Sequence, residues 1–268
     1  MQIVYFPTTT EHPHGTVLIA HGYGEHHGRY RALIEALNGA GYDCATYDHP
    51  GHGTSDGPRA RVDLGALINI HLKIRDDVLT QARTPELFLF GHSMGGLVTA
   101  ASTILNPTRL RGTILTGPAM RPLPAVPAHV ARRLLNVART FPALPASTTH
   151  SAPAESVLAR NPQVQRDFDA DPLCHHGPVP LITGATMIVQ GDEVLRRAAH
   201  LHTPTLIFHG SSDTLVSPAG SVHLIEAARA GGNMDAHLRM VDGARHEVLN
   251  EVEGPGIIRD IILWLDAH

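Results

Sequence analysis

The chain has 268 residues, 43% of them hydrophobic and 17% charged. That balance fits one large domain, or a core with an inserted subdomain, burying roughly 70–75% of its extended surface. A formal charge of −4 without any Lys or Arg run argues against nucleic acid as a partner. The N-terminal "MQIVYFPTTT" lacks the basic and apolar regions of a secretory signal, and no 18-residue apolar stretch offers a membrane span.

"QIVYF" can supply one strand. "TVLIAHG" (16–22) is a short apolar run ending in glycine, which predicts a buried parallel strand feeding a loop. Tyr30, Leu33, Ile34 and Leu37 recur at helical spacing over 29–40, closed by Gly39 and Gly41. "YDCATYD" (42–48) reads as the next strand and "PGHGTSDGP" (50–58) as a glycine-rich loop. Leu64 to Gln81 is expected to be helical, "ELFLFGHS" (86–93) a strand, Met94 to Leu105 a helix and "RGTILTGP" (111–118) a strand. Strand and helix alternating in this way predict an α/β fold, a mostly parallel sheet with helices on both faces.

The rhythm breaks at Pro118, and residues 118 to 204 hold twelve of the twenty prolines. Within this stretch Val126, Val130, Leu134, Val137, Ala138 and Phe141 share one helical face, with Arg132, Arg133 and Arg139 off it. "TPTLIFHG" (203–210) restores the strand pattern, followed by a helix in "SVHLIEAARAGG", a strand in "AHLRMVDG" and a terminal amphipathic helix in "GIIRDIILWLDAH". The economical division is a core of 1–118 and 203–268 with a mainly helical cap, 119–202, inserted between them.

Gly91-His92-Ser93-Met94-Gly95 fits G-x-S-x-G between a predicted strand and helix, the context that motif requires. Ser93 is therefore the expected nucleophile, at the positive end of the following helix. Its hydroxyl needs a base oriented by a third group. His246 in "VDGARHEVLN" directly follows the last predicted strand, at the carboxyl edge where open α/β sheets gather their sites. Two acids compete: Asp192 in "MIVQGDEV" and Asp213 in "LIFHGSSDTLV". The few residues between them leave no room for a crossover helix, which takes a dozen or more, so only one segment is a core strand. "TPTLIFHG" is followed by the expected helix and strand, which favours Asp213 and assigns Asp192 to the end of the cap. Developing negative charge needs backbone donors: the N–H of Met94, after the nucleophile, and that of Tyr23, in the loop after "TVLIAHG". His21, Glu25, His26 and Arg29 read as loop-holding residues, and Asp48, His49 and His52 as turn scaffolding. His175-His176 beside Cys174 is the one hint of a metal site, but adjacent positions turn poorly toward one ion. The two cysteines make no disulfide framework and fit a reducing compartment.

The stretches "AHGYGEHHGRY", "YDHPGHGTSDGPR", "GHSMGGL", "DADPLCHHG", "HGSSDTLVSPAGS" and "GARHEVLNE" run in order from residue 20 to 251. Together they resemble the α/β-hydrolase fold and, within it, the monoglyceride lipase or lysophospholipase-like family of bacterial type. The resemblance implies a triad of Ser93, Asp213 and His246, with the Tyr23 and Met94 amides as oxyanion hole. Chemistry of this kind needs no metal or organic cofactor. One departure is the short N-terminus, since only twenty residues precede His21; about seven strands are expected, the first at an edge.

The expected activity is cytoplasmic serine ester hydrolysis of monoacylglycerols, in which a lipid substrate is cleaved to fatty acid and glycerol through an acyl-enzyme. The cap face near Val126–Phe141 would line the acyl tunnel, touch a lipid surface peripherally, or simply pack on the core. A lysophospholipase or a broad-specificity carboxylesterase would differ in its cap pocket alone. Peroxidase-like or peptidase chemistry would use the same triad. A non-catalytic lipid-binding protein of this fold would be expected to have lost the nucleophile or base, and this chain keeps both.

Overall fold

The computed structural model describes residues 2–122, 125–146 and 156–268. Seven strands form one sheet: β1 (Ile3–Phe6), β2 (Gly15–Ala20), β3 (Tyr42–Tyr47), β4 (Leu87–His92), β5 (Leu110–Thr116), β6 (Thr205–Gly210) and β7 (Ala236–Val241). Their spatial order is β1-β3-β2-β4-β5-β6-β7. Only β1 runs antiparallel, pairing with β3 from Ile3 opposite Tyr47 to Phe6 opposite Cys44. The short N-terminus thus supplies a single edge strand, as its length suggested.

Eight helices complete the described chain: α1 (Arg31–Gly39), α2 (Leu64–Gln81), α3 (Ser93–Leu105), α4 (Ala128–Thr140), α5 (Pro162–Ala170), α6 (Leu181–Arg196), α7 (Ala219–Ala230) and α8 (Gly254–Ala267). The inner strands read as unbroken apolar runs because both faces of the sheet are covered. Val17 and Ile19, Phe88 and Phe90, Leu206 and Phe208 pack toward α1 and α8, among Leu33, Leu37, Ile257, Ile261 and Trp264. The alternate residues Leu115 and Ile207 face α2, α3 and α7, meeting Leu67, Leu97, Val98 and Leu224.

After β2 the chain adds β3 on one side, then crosses to place β4 on the other. The loops leaving β2 and β4 therefore part in opposite directions, and a crevice opens at the carboxyl ends of the two strands. Ala20 pairs with Gly91 there, so residues 21–25 and Ser93 start from adjacent points. α4, α5 and α6 lie between β5 and β6 and add no strand to the sheet.

α4 departs from one expectation. Val130, Leu134, Val137 and Phe141 do share a face, but they stay 36–59% exposed and do not pack on the core. Ala138, placed on that face from the sequence, is buried instead, and with Leu135 it meets Ile182 and Ala185 of α6. Small residues allow close helix approach, so the alanine side of α4 is the side that packs. No described helix is long and apolar enough to cross a membrane.

Five of the buried histidines, His21, His49, His52, His71 and His92, lie in β4, α2 and the loops after β2 and β3. Burial holds all five below the ordinary imidazole value, to about 3 for His52 and His71 and about 4 for His92. Hydrogen bonds agree with neutral rings. His21 accepts the His49 N–H at Nε2 (2.9 Å) while its Nδ1–H donates to the Gly22 carbonyl (2.7 Å), so it has no site for a second proton.

Between pH 4 and 6.5 the unfolded chain, with histidines near 6.5, binds protons that the folded chain refuses, and stability must fall as pH drops. His27 and His246, whose values are raised, act in the opposite sense and only above about 6.5. Urea titrations over a pH series should show stability declining from about pH 6.5 downward, with roughly three or more protons taken up per unfolding event at pH 5. A flat profile between pH 7 and 5 would mean that these rings are charged in the folded state.

Candidate active site

Ser93 is the first residue of α3 and adopts φ +51°. A non-glycine residue in this region is strained by about 1–3 kcal/mol, and here the strain turns the chain abruptly from strand to helix. The turn is feasible because its neighbours lack side chains. A Cβ on Gly95 would lie 2.3 Å from the Ala20 carbonyl oxygen, and one on Gly91 would lie 2.6 Å from that of Gly95.

His246 and Asp213 arrive from the loops after β7 and β6. The Ser93 hydroxyl donates to His246 Nε2 at 2.8 Å, and His246 Nδ1–H donates to Asp213 Oδ2 at 2.6 Å. Asp213 Oδ1 accepts the N–H groups of Leu215 (2.8 Å) and Val216 (2.9 Å), and His209 Nε2 lies 3.2 Å from Oδ2. Burial alone would raise this carboxyl, but the His246 charge and these hydrogen bonds hold it well below the usual range. Burial would likewise lower His246, yet the adjacent Asp213 raises it above the ordinary imidazole value. The arrangement can deprotonate a hydroxyl at Ser93 and stabilise the resulting imidazolium. Asp192 lies elsewhere, on α6, with Oδ2 2.7 Å from Arg132 Nη2 and 3.1 Å from Arg196 Nε.

The Met94 N–H sits in the first turn of α3, where amides have no intrahelical acceptor. In the facing loop, no acceptor among the described residues meets the Tyr23 N–H. The loop is fixed from below by Glu25, whose Oε1 accepts both the Gly22 N–H (2.6 Å) and the Tyr30 hydroxyl (2.6 Å). Arg29 donates to Glu25 Oε2 (2.6 Å) and reaches across with two bonds, of 2.7 and 2.9 Å, to Glu247. Burial opposes ionisation of Glu25, but Arg29, acting together with the neighbouring imidazoles and the Tyr30 hydroxyl, outweighs it and the carboxyl falls to about 2. Since Glu247 follows His246 directly, one guanidinium joins the loop of the proposed base to that of the proposed oxyanion hole. Sequence reasoning assigned Arg29 a loop-holding role and missed Glu247. The only signal was its place beside His246, because its partner is 218 residues away.

Three contacts dock the 171–178 loop on this region. His26 Nε2–H donates to Asp171 Oδ2 (2.8 Å), the His175 N–H donates to the Gly24 carbonyl (2.7 Å), and Arg59 donates to the carbonyls of Leu173 and Cys174. Asp48 holds the underlying turn, accepting from the His27 N–H (2.9 Å) and the Thr54 N–H (2.9 Å). Cys174 gathers with His26 and Asp171, their candidate ligand atoms within 4.8 Å of one another, rather than with its sequence neighbours His175 and His176. However, His26 Nδ1 accepts the Gly28 N–H, which leaves the proton on Nε2 and commits it to Asp171. The trio is thereby arranged as a hydrogen-bonded joint.

A model of the family described as Hydrolase_4, serine aminopeptidase S33, matches residues 11–253. A monoacylglycerol lipase from Mycolicibacterium smegmatis is 33% identical, the match covering 100% of this chain and 94% of the relative. The phospholipase YtpA of Bacillus subtilis is 27% identical over 96% and 97% of the two chains. Among solved structures, the monoacylglycerol lipase of Paleococcus ferrophilus superposes with a TM-score of 0.86 at 30% identity, covering 100% and 98%.

Three substitutions probe the geometry. Asp213→Asn removes the charge that raises His246, so the acid limb of kcat/KM should move to lower pH while turnover drops by about 10⁴-fold. Asp192→Asn should change neither; equal losses in both variants would reject the assignment. Arg29→Met leaves two carboxylates buried without their cation and should cost roughly 3–5 kcal/mol in urea unfolding, whereas an unchanged midpoint would show that the brace is dispensable.

Proposed function

The chain belongs to the Hydrolase_4 (serine aminopeptidase, S33) family, and from that premise we propose that it is a serine ester hydrolase cleaving monoacylglycerols to fatty acid and glycerol. The observation that carries the reading is the strained Ser93, with its hydroxyl 2.8 Å from an imidazole whose far nitrogen is 2.6 Å from a buried carboxylate. The substrate class follows from the monoacylglycerol lipases to which the whole chain is similar.

In the proposed reaction His246 Nε2 removes the Ser93 proton as Oγ attacks the ester carbonyl. The oxyanion forms against the Tyr23 and Met94 N–H groups, each such donor typically lowering the barrier by about 2.7–4 kcal/mol. His246 then protonates the departing glycerol oxygen, leaving an acyl-Ser93 ester and restoring the neutral ring. Water, deprotonated by the same nitrogen, attacks this ester and releases the fatty acid. Asp213 keeps Nδ1 protonated and offsets the positive charge that appears twice on the ring.

The insert of residues 119–202 acts as a cap in this reading. Its 171–178 loop rests on the oxyanion loop, and the exposed Val130, Leu134, Val137 and Phe141 of α4 form an apolar face suited to peripheral contact with a lipid surface. Location in the cytoplasm, with reversible attachment to lipid, is part of the proposal. The phospholipase similarity keeps lysophospholipid as the rival substrate, distinguished by the cap rather than by the triad.

A hydrolysis panel of monoacylglycerols, di- and triacylglycerols, lysophospholipids and short aryl esters tests the reading. The highest kcat/KM should fall on a monoacylglycerol; preference for a lysophospholipid would transfer the assignment to the rival. Ser93→Ala should fold normally and lose essentially all turnover, and retained activity would reject the mechanism.

A further inference from the structure

The insert also forms a concave surface remote from Ser93. Where α6 crosses α2 and the C-terminal end of α3, a groove of about 450 Å³ opens, within the roughly 300–1,000 Å³ typical of small-molecule sites. Its floor is apolar, formed by Ile68, Ala101, Ile104, Leu105, Val189 and Val194. Leu105 remains 52% exposed and so presents its side chain to the groove. None of Ser93, Asp213, His246 or Tyr23 lines the groove, and Leu105 stands twelve residues along α3 from Ser93, about 18 Å of helix.

The rim has the opposite character. Arg132, Arg196 and Arg197 stand along it. Two carboxylates serve these three cations: Asp192 is shared by Arg132 (2.7 Å) and Arg196 (3.1 Å), and Glu193 by Arg196 and Arg197 (2.6 Å for the latter). Three cations less two anions leave a local charge of +1, in a chain whose total is −4. Each guanidinium carries five N–H donors, so the existing pairs leave donors free, and Arg pairs with a carboxylate in two-pronged fashion. Gln190 adds a neutral polar group at the same edge.

We propose that this groove binds one free long-chain carboxylate, with its alkyl chain along the Ile68–Leu105–Val189 floor and its head group on Arg132, Arg196 and Arg197. A neutral lipid would leave the excess cation unmatched, and a compact anion such as phosphate would leave the apolar floor uncovered. The long-chain carboxylate satisfies both. Such a molecule is also what the proposed hydrolysis releases, but the site needs no step of that reaction.

The test first fills the catalytic pocket by treating the protein with a long-chain alkyl fluorophosphonate, attachment to Ser93 being read by mass. Calorimetric titration with laurate below its micellar range should then give one saturable equivalent per chain. The Arg196→Gln/Arg197→Gln double variant and Leu105→Glu should each weaken binding about tenfold or more, while both turn over p-nitrophenyl butyrate like the parent protein, which shows that they are folded. Dodecyltrimethylammonium, a similar chain with the opposite head charge, should not bind. Absence of laurate binding, equal affinity in both variants, or equal binding of the cation overturns the proposal. A Ser93 that takes no phosphonate counts against the proposed mechanism alone, since the variant comparison on untreated protein still decides the groove.

Discussion

The turn at Ser93 is the constraint on which the rest of the site depends. A side chain held at φ +51° stores strain that the surroundings must offset, and they do so by packing α3 hard against the end of β2. The contact is so close that Gly95 lies under the carbonyls of Ala20 and His21. The same contact sets the distance between the Ser93 turn and the facing loop, because residues 21–25 begin where Ala20 ends. Site geometry and backbone strain are thus two aspects of one packing decision, taken where the strand order of the sheet reverses.

Close packing at that edge excludes water from groups that would otherwise be solvated, and the electrostatics follow. Glu25, Asp48 and Asp213 are all buried acids, and each remains ionised because donors converge on it. Glu25 and Asp213 each have a charged or chargeable partner on one oxygen and neutral donors on the other, and Asp48 has backbone N–H groups from two loops. His21, His49, His52, His71 and His92 take the other course and stay neutral. His246 is both buried and raised, because the Asp213 carboxylate accepts its Nδ1–H and outweighs the burial. The carboxyl edge therefore separates one basic, protonatable imidazole from several inert ones, and does so through partners rather than residue type.

The strands and the Ser93 turn were legible in the sequence because their signals are local. Apolar runs mark strands covered on both faces, and glycines flanking Ser93 mark a turn that tolerates no side chains. That the segment before Asp213, and not the one around Asp192, is a core strand was also legible, since it rests on chain length: two parallel strands cannot follow one another without a crossover. The brace from Glu25 through Arg29 to Glu247 was not, because no periodicity links residues 218 positions apart. The apolar face of α4 was read correctly as a face and incorrectly as including Ala138. Periodicity ranks residues by hydrophobicity, whereas helix contact ranks them by size, and the smaller residues won.

That distinction bears on how the insert works. α4 turns its alanines to α6 and leaves its large apolar side chains outward, while α6 turns Thr183 and Thr186 down to the backbone N–H groups of Val62 and Leu64 and lines the arginine-rimmed groove from its opposite end. α6 is therefore tied to the core by directional hydrogen bonds, while α4 rests on α6 through small apolar contacts and the Arg132–Asp192 ion pair. A carboxylate seated in the proposed groove would add contacts to α6, the helix that carries those bonds to the core.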